Sequence, residues 1–223
     1  ENYKDLVEII ISLQNIDYKN KSINIYSQNL IYEEMKGFLN NFLIKLLNIK
    51  LKNAEEKYIL DFISVISNTL FNSPNKCFVH KDMNPSNILI KNNKFYLIDY
   101  QNALIGSCYY DLACLLFNER ELLTQEQIYK GIKLFLDKGK YKNNFNEEFC
   151  FCVFHRVLKT LGCFANLYLI NRHSILLTYI KNCLDIAIFI CEVKSENNLK
   201  HIIENAKEIF YSKYLEKNWG FKC

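Results

Sequence analysis

Apolar residues recur at helical spacing along most of this chain. A short helix is predicted over 5–14, and a longer one over 28–48 with Ile31, Met35, Phe38, Leu39, Phe42 and Leu46 on one face. A third spans 56–71, carrying Ile59, Phe62, Ile63, Ile66 and Leu70 in the same rhythm. Further helices are expected near 109–117, 124–136, 145–170, 174–191 and 199–215. In the helix over 145–170, Val153, Val157, Leu161 and Phe164 form the core face, which leaves Arg156 and Lys159 on an adjacent solvated ridge. Glu34 is a polar intruder beside an apolar face, one turn from Leu30, Ile31 and Phe38, so its carboxylate is partly shielded and faces either substrate or the helix edge.

The rhythm changes between residues 77 and 98. Cys77-Phe78-Val79, Ile88-Leu89-Ile90 and Phe95-Tyr96-Leu97-Ile98 are short strand-like runs, and Asn92-Asn93 supplies the left-handed backbone a tight hairpin turn needs. The expected fold class is therefore α+β, predominantly α-helical, with one small β-hairpin. Gly (6) and Pro (2) are scarce among 223 residues and half the chain is apolar, which suits a single domain of helices joined by short Asn- and Lys-rich loops.

The hairpin also carries the chemistry. It is preceded by His80-Lys81-Asp82-Met83-Asn84-Pro85-Ser86-Asn87, an H-x-D-x-x-x-x-N pattern, and followed by Asp99, twelve residues past Asn87. That spacing supplies a carboxylate to accept the proton of a substrate hydroxyl, and an amide and a second carboxylate as hard oxygen ligands for magnesium. Singly, Asp82, Asn84, Asn87 and Asp99 read as turn formers around Pro85 and a strand end. Their joint pattern, followed by a Gly-containing loop through Gly106 and a helix opening with Tyr110-Asp111-Leu112-Ala113, outweighs that reading.

His80 to Asn87, Ile98-Asp99-Tyr100-Gln101 and Tyr110-Asp111-Leu112-Ala113 together resemble the aminoglycoside phosphotransferase and choline kinase superfamily. The resemblance implies the C-terminal lobe of a protein-kinase-like fold, with Asp82 as catalytic base, Asn87 and Asp99 as ligands of Mg2+, and Asp111 with His80 as a structural brace. It implies ATP or another nucleoside triphosphate as phosphoryl donor and a small-molecule acceptor. Within the superfamily, Glu34-Met35-Lys36-Gly37-Phe38, Ile98 to Ala103 and Arg156 to Gly162 look most like the anomeric kinases of N-acetylmuramate and N-acetylglucosamine, with Glu34, Arg156 and Lys159 as candidate acceptor contacts. Asn84 and Asn102 depart from the usual residues of these groups. Aminoglycosides and choline are the alternative acceptors, and an assembly module without turnover is the non-enzymatic alternative. The absence of D-F-G and A-P-E segments argues against a protein kinase.

The first eighty residues read as helical and contain no Gly-rich loop, so we expect the N-terminal nucleotide-binding lobe to lie outside this chain and these residues alone not to turn over ATP. A net charge of +4 comes from dispersed Lys, which points away from nucleic acid. No apolar run approaches the ~20 residues of a membrane span, and a cytoplasmic setting with the nine Cys reduced is expected.

Overall fold

A computed structural model describes residues 3–17, 22–92 and 94–215. The element order is α1 (Tyr3–Leu13), α2 (Gln28–Gly37), a π-helical segment (Phe38–Leu46), α3 (Asn53–Asn72), β1 (Lys76–Val79), β2 (Ile88–Lys91), β3 (Lys94–Leu97), β4 (Leu104–Ser107), α4 (Tyr110–Leu116), α5 (Gln125–Lys138), α6 (Phe145–Asn171), α7 (Ile175–Lys194), α8 (Asn197–Phe210) and a second π-helical segment (Tyr211–Leu215). Predominantly helical α+β architecture is what the apolar rhythm implies. The residues fall into two compact units, one comprising those up to Leu30 with Ser67–Val153, the other Ile31–Ile66 with those from Phe154 onward.

The first unit holds both sheets. β2 and β3 form the expected antiparallel hairpin, with Ile88 opposite Leu97 and Lys91 opposite Lys94. Asn92 takes the left-handed conformation at φ 52°, as the turn requires. Asn93, its partner in the expected turn, lies outside the described residues. β1 pairs with β4, from Lys76 opposite Ser107 to Val79 opposite Leu104. The sequence reading placed a loop where β4 runs. All four of its residues are buried, so it lacks the polar alternation that marks a half-exposed strand. Tyr26 N–H donates to Ile105 O at 2.9 Å, and Ile105 N–H donates to Asn24 O at 2.8 Å, extending this patch. Every residue of α4 is buried. α5 starts at a capping box, in which Gln127 N–H donates to Thr124 Oγ1 and Thr124 N–H to Gln127 Oε1. Tyr109, Phe145 and Phe149 pack ring on ring, with centroids 5.2 and 4.9 Å apart.

The second unit is helical. Where sequence spacing predicts one α-helix over 28–48, the winding loosens at Phe38, and Leu47 N–H reaches back five residues to Phe42 O at 3.0 Å. The wider turn keeps Phe38, Leu39, Phe42, Leu43 and Leu46 all buried. α8 buries Leu199, Ile202, Ile203, Ala206 and Phe210, a regular stripe on an otherwise polar helix. Phe210 in turn packs against Phe42.

α6 departs furthest from expectation. Its predicted core face is buried, but so is every residue from Glu148 to Leu158. Arg156 is only 6% exposed, not solvated on a polar ridge, because this stretch is enclosed on all sides. The eight described cysteines form no disulfide, and burial pushes the Cys77, Cys108 and Cys152 thiols far up. Cys163 is exposed. No helix among the described residues is long and apolar enough to cross a membrane.

Candidate active site

β1 ends at Val79 and delivers His80 and Lys81 over the start of α4. Their backbone N–H groups donate to the two oxygens of Asp111, at 2.7 Å from His80 and 3.0 Å from Lys81. Asp111 is buried in the first turn of α4, so one carboxylate ties the loop to the helix. Burial pushes its carboxyl up to about 6, although both N–H donors and the His80 charge pull it down. Lys81 takes the left-handed conformation at φ 71°, and its ammonium lies 4.6 Å from the Tyr26 ring centre. The His80 ring is buried too. Its Nε2 donates to Ile98 O at 2.9 Å, since a carbonyl can only accept, and this ties the His80–Asn87 loop to the end of the hairpin.

Asp82 sits between two asparagines. Asn87 Nδ2 donates to Asp82 Oδ2 at 2.9 Å and to Asp82 O at 3.0 Å, while Asn84 Nδ2 donates to Asp82 Oδ1. With its nitrogen committed to Asp82, the Asn87 amide has its oxygen left as a ligand atom. The turn is closed by Asn84 N–H on Asp82 O at 2.8 Å and Asn87 N–H on Asn84 O at 2.9 Å, with Pro85 opening a single 3₁₀ turn.

The hairpin returns Asp99 to this point. One further ladder bond, Ile98 N–H to Asn87 O at 3.0 Å, sets Asp99 beside Asn87. Asp99 is exposed and left-handed, with φ 66° and ψ 42°, an uncommon state for a residue with a side chain. An amide oxygen and an exposed carboxylate are hard ligands, few in number, and so fit a magnesium ion that keeps several waters. His80, Asp82, Asn87, Asp99 and Asp111 are thus assembled in one unit.

Glu34, Arg156 and Lys159 belong to the other unit. Glu34 Oε2 accepts from His155 Nε2 at 3.0 Å, and its Oε1 lies 3.6 Å from the Lys159 ammonium. The Glu34 side chain is 16% exposed and that of Lys159 31%, whereas His155 is fully buried. Sequence reasoning missed His155; its position four residues before Lys159 on one helix was the available signal. It also missed Asn118, whose Nδ2 donates to Asn84 Oδ1 at 3.0 Å. A lone Asn past a helix end gives no such signal.

Three solved structures share this fold at low identity. Choline kinase LicA from Streptococcus pneumoniae is 12% identical, with a TM-score of 0.55, over 83% of this chain and 62% of its own. A choline/ethanolamine kinase family protein from Mesorhizobium loti is 11% identical, with a TM-score of 0.57, over 93% of this chain and 66% of its own. An aminoglycoside-3'-phosphotransferase of type VIII is 15% identical, with a TM-score of 0.50, over 72% of this chain and 59% of its own. The chain therefore spans about three fifths of the length of such structures. No curated protein matches it significantly. The model of the phosphotransferase enzyme family matches residues 1–134, a stretch that contains the loop, the hairpin and Asp111, and the chain belongs to that family, APH.

Proposed function

We propose that the chain is the catalytic, C-terminal lobe of a small-molecule kinase that moves the γ-phosphoryl group of ATP to an acceptor hydroxyl, with the nucleotide-covering lobe supplied from outside these residues. The observation that carries this reading is the hairpin register, which sets Asp99 beside Asn87 while Asn87 holds Asp82. Asp82 takes the proton of the attacking hydroxyl. Asn87 and Asp99 hold magnesium, which when bound neutralises charge on the nucleotide phosphates. Asp111 and His80 brace the loop so that the Asp82 carboxylate keeps its place. Leu89 and Tyr96, paired across the hairpin, expose apolar surface next to the metal ligands, as suits a site covered by a nucleotide base.

For the acceptor we propose an amino sugar, phosphorylated at its anomeric hydroxyl, with Glu34 and Lys159 as contacts; Arg156, buried within α6, is not one of them. Glu34 is already answered by Lys159 and His155, so the cluster offers no surplus negative charge to attract a polycation or choline. The test is a screen of N-acetylglucosamine, N-acetylmuramate, aminoglycosides, choline and ethanolamine on the intact protein, reading ADP release and the phosphate position by NMR. Efficient transfer to kanamycin-like or choline-like acceptors with sugars untouched overturns the sugar reading. Failure of every acceptor at Mg-ATP saturation overturns the kinase reading.

A further inference from the structure

The base is held by more than its own loop. Asn118 lies two residues past α4 and is 2% exposed; Asn84 is 9% exposed. An amide side chain is ambiguous about which end donates, but here a backbone group resolves it. Arg120 N–H donates to Asn118 Oδ1 at 2.9 Å, and a backbone N–H cannot accept. The Nδ2 of Asn118 must therefore face the other way, where it donates to Asn84 Oδ1 at 3.0 Å and reaches Cys114 O at 3.4 Å. With its oxygen so engaged, Asn84 turns Nδ2 onto Asp82 Oδ1. The direction of every hydrogen bond in this chain follows from one peptide N–H at Arg120.

We infer that Asn118 and Asn84 are a positioning relay for Asp82, fixing the rotamer of its carboxylate from the far side of the loop. Asn87 alone would leave Oδ1 without a fixed donor. Asn84 and Asn87 together hold one oxygen each, so the carboxylate cannot rotate and each oxygen keeps lone-pair capacity for the acceptor hydroxyl. The inference rests on Asp82 being the base. The competing account makes Asn118 a cap for the last turn of α4, through Cys114 O.

Asn118→Asp separates the two accounts. It keeps an acceptor for Arg120 N–H and removes the donor toward Asn84. With Mg-ATP and N-acetylglucosamine, or with Mg-ATP alone where water is the acceptor, kcat should fall about 10–100-fold, the worth of one hydrogen bond to a charged group. KM for ATP should stay unchanged. Asn84→Leu should do the same, and the double variant should be no worse than either single one. Without any turnover, the Asn84 side-chain amide still reports: its protons should exchange with water about tenfold faster in Asn118→Leu than in wild type. Wild-type amide exchange in Asn118→Leu and undiminished kcat in Asn118→Asp, with only a lower melting temperature, would overturn the relay and leave the cap. Undiminished turnover in Asp82→Asn would instead overturn the base assignment, so the two failures are told apart.

Discussion

Gly162→Ala should destabilise the protein, although alanine is the better helix former. Gly162 lies within α6, and a Cβ built there comes to 2.7 Å from both Cα and O of Gly37, and closer still to its carbonyl carbon. All three are backbone atoms, so no side-chain tip can swing aside. An ordinary contact needs about 3.4 Å or more, so the two helices must part by about 1 Å. Overpacking of this kind costs about 3 kcal/mol, and helix propensity returns about 1 kcal/mol, which leaves a net loss of about 2 kcal/mol. Gly37→Ala is the control. Gly37 is right-handed helical at φ −56°, and its added Cβ would meet Gly162 Cα at an ordinary 3.4 Å, so stability should hold or rise by up to about 1 kcal/mol. Urea unfolding followed by circular dichroism, with the slope compared across variants, measures both. Equal stabilities for Gly162→Ala and Gly37→Ala at unchanged slope would refute the argument from close approach.

Asp111 gives a pH dependence of definite sign. Its folded value, raised by burial to about 6 from an ordinary 3.8, means its contribution to stability is full below pH 3.8 and lost as pH rises through about 6. The stability gap between wild type and Asp111→Asn should therefore shift against wild type by about 3 kcal/mol from pH 3.5 to 7; a gap that widens in favour of wild type would contradict it. In the intact protein Asp82→Asn should lower kcat by about 10²–10⁴-fold with nucleotide binding kept, whereas Asp99→Asn should raise the magnesium requirement. Steady-state kinetics with magnesium titration distinguish these, and identical phenotypes would undo the division of roles. Maleimide labelling of native protein, mapped by mass spectrometry, should modify Cys163 ahead of Cys77, Cys108, Cys152, Cys183 and Cys191, because it alone of these is exposed. Prior labelling of Cys152 would contradict the fold around α6.

What the sequence shows and hides follows from the range of each interaction. Helices appear in apolar spacing because their periodicity is local, and the hairpin appears because two short runs flank an Asn turn. β4 stays hidden since its partner β1 is more than twenty residues away and a fully buried strand has no alternating pattern. Arg156 and His155 were misplaced or missed for a related reason. Spacing along α6 reveals one apolar face, while burial on the remaining faces depends on neighbours that no local pattern encodes.

The glycines and asparagines make the same point at the level of chemistry. Neither Gly37 nor Gly162 needs a left-handed backbone; Gly162 is glycine because another backbone passes within reach. Glu34 lies three residues before Gly37, and Lys159 three before Gly162, so this crossing also sets how near the carboxylate and the ammonium stand. Asn84 has a comparable history. In sequence it is a departure from its superfamily, and in the fold it is the residue through which Asn118, 34 positions on, reaches the Asp82 carboxylate. A substitution at such a position loses meaning when read alone, since its fitness is decided by a partner on another element. The departure at Asn84 is therefore best tested together with Asn118, as a pair whose effects on turnover should not add.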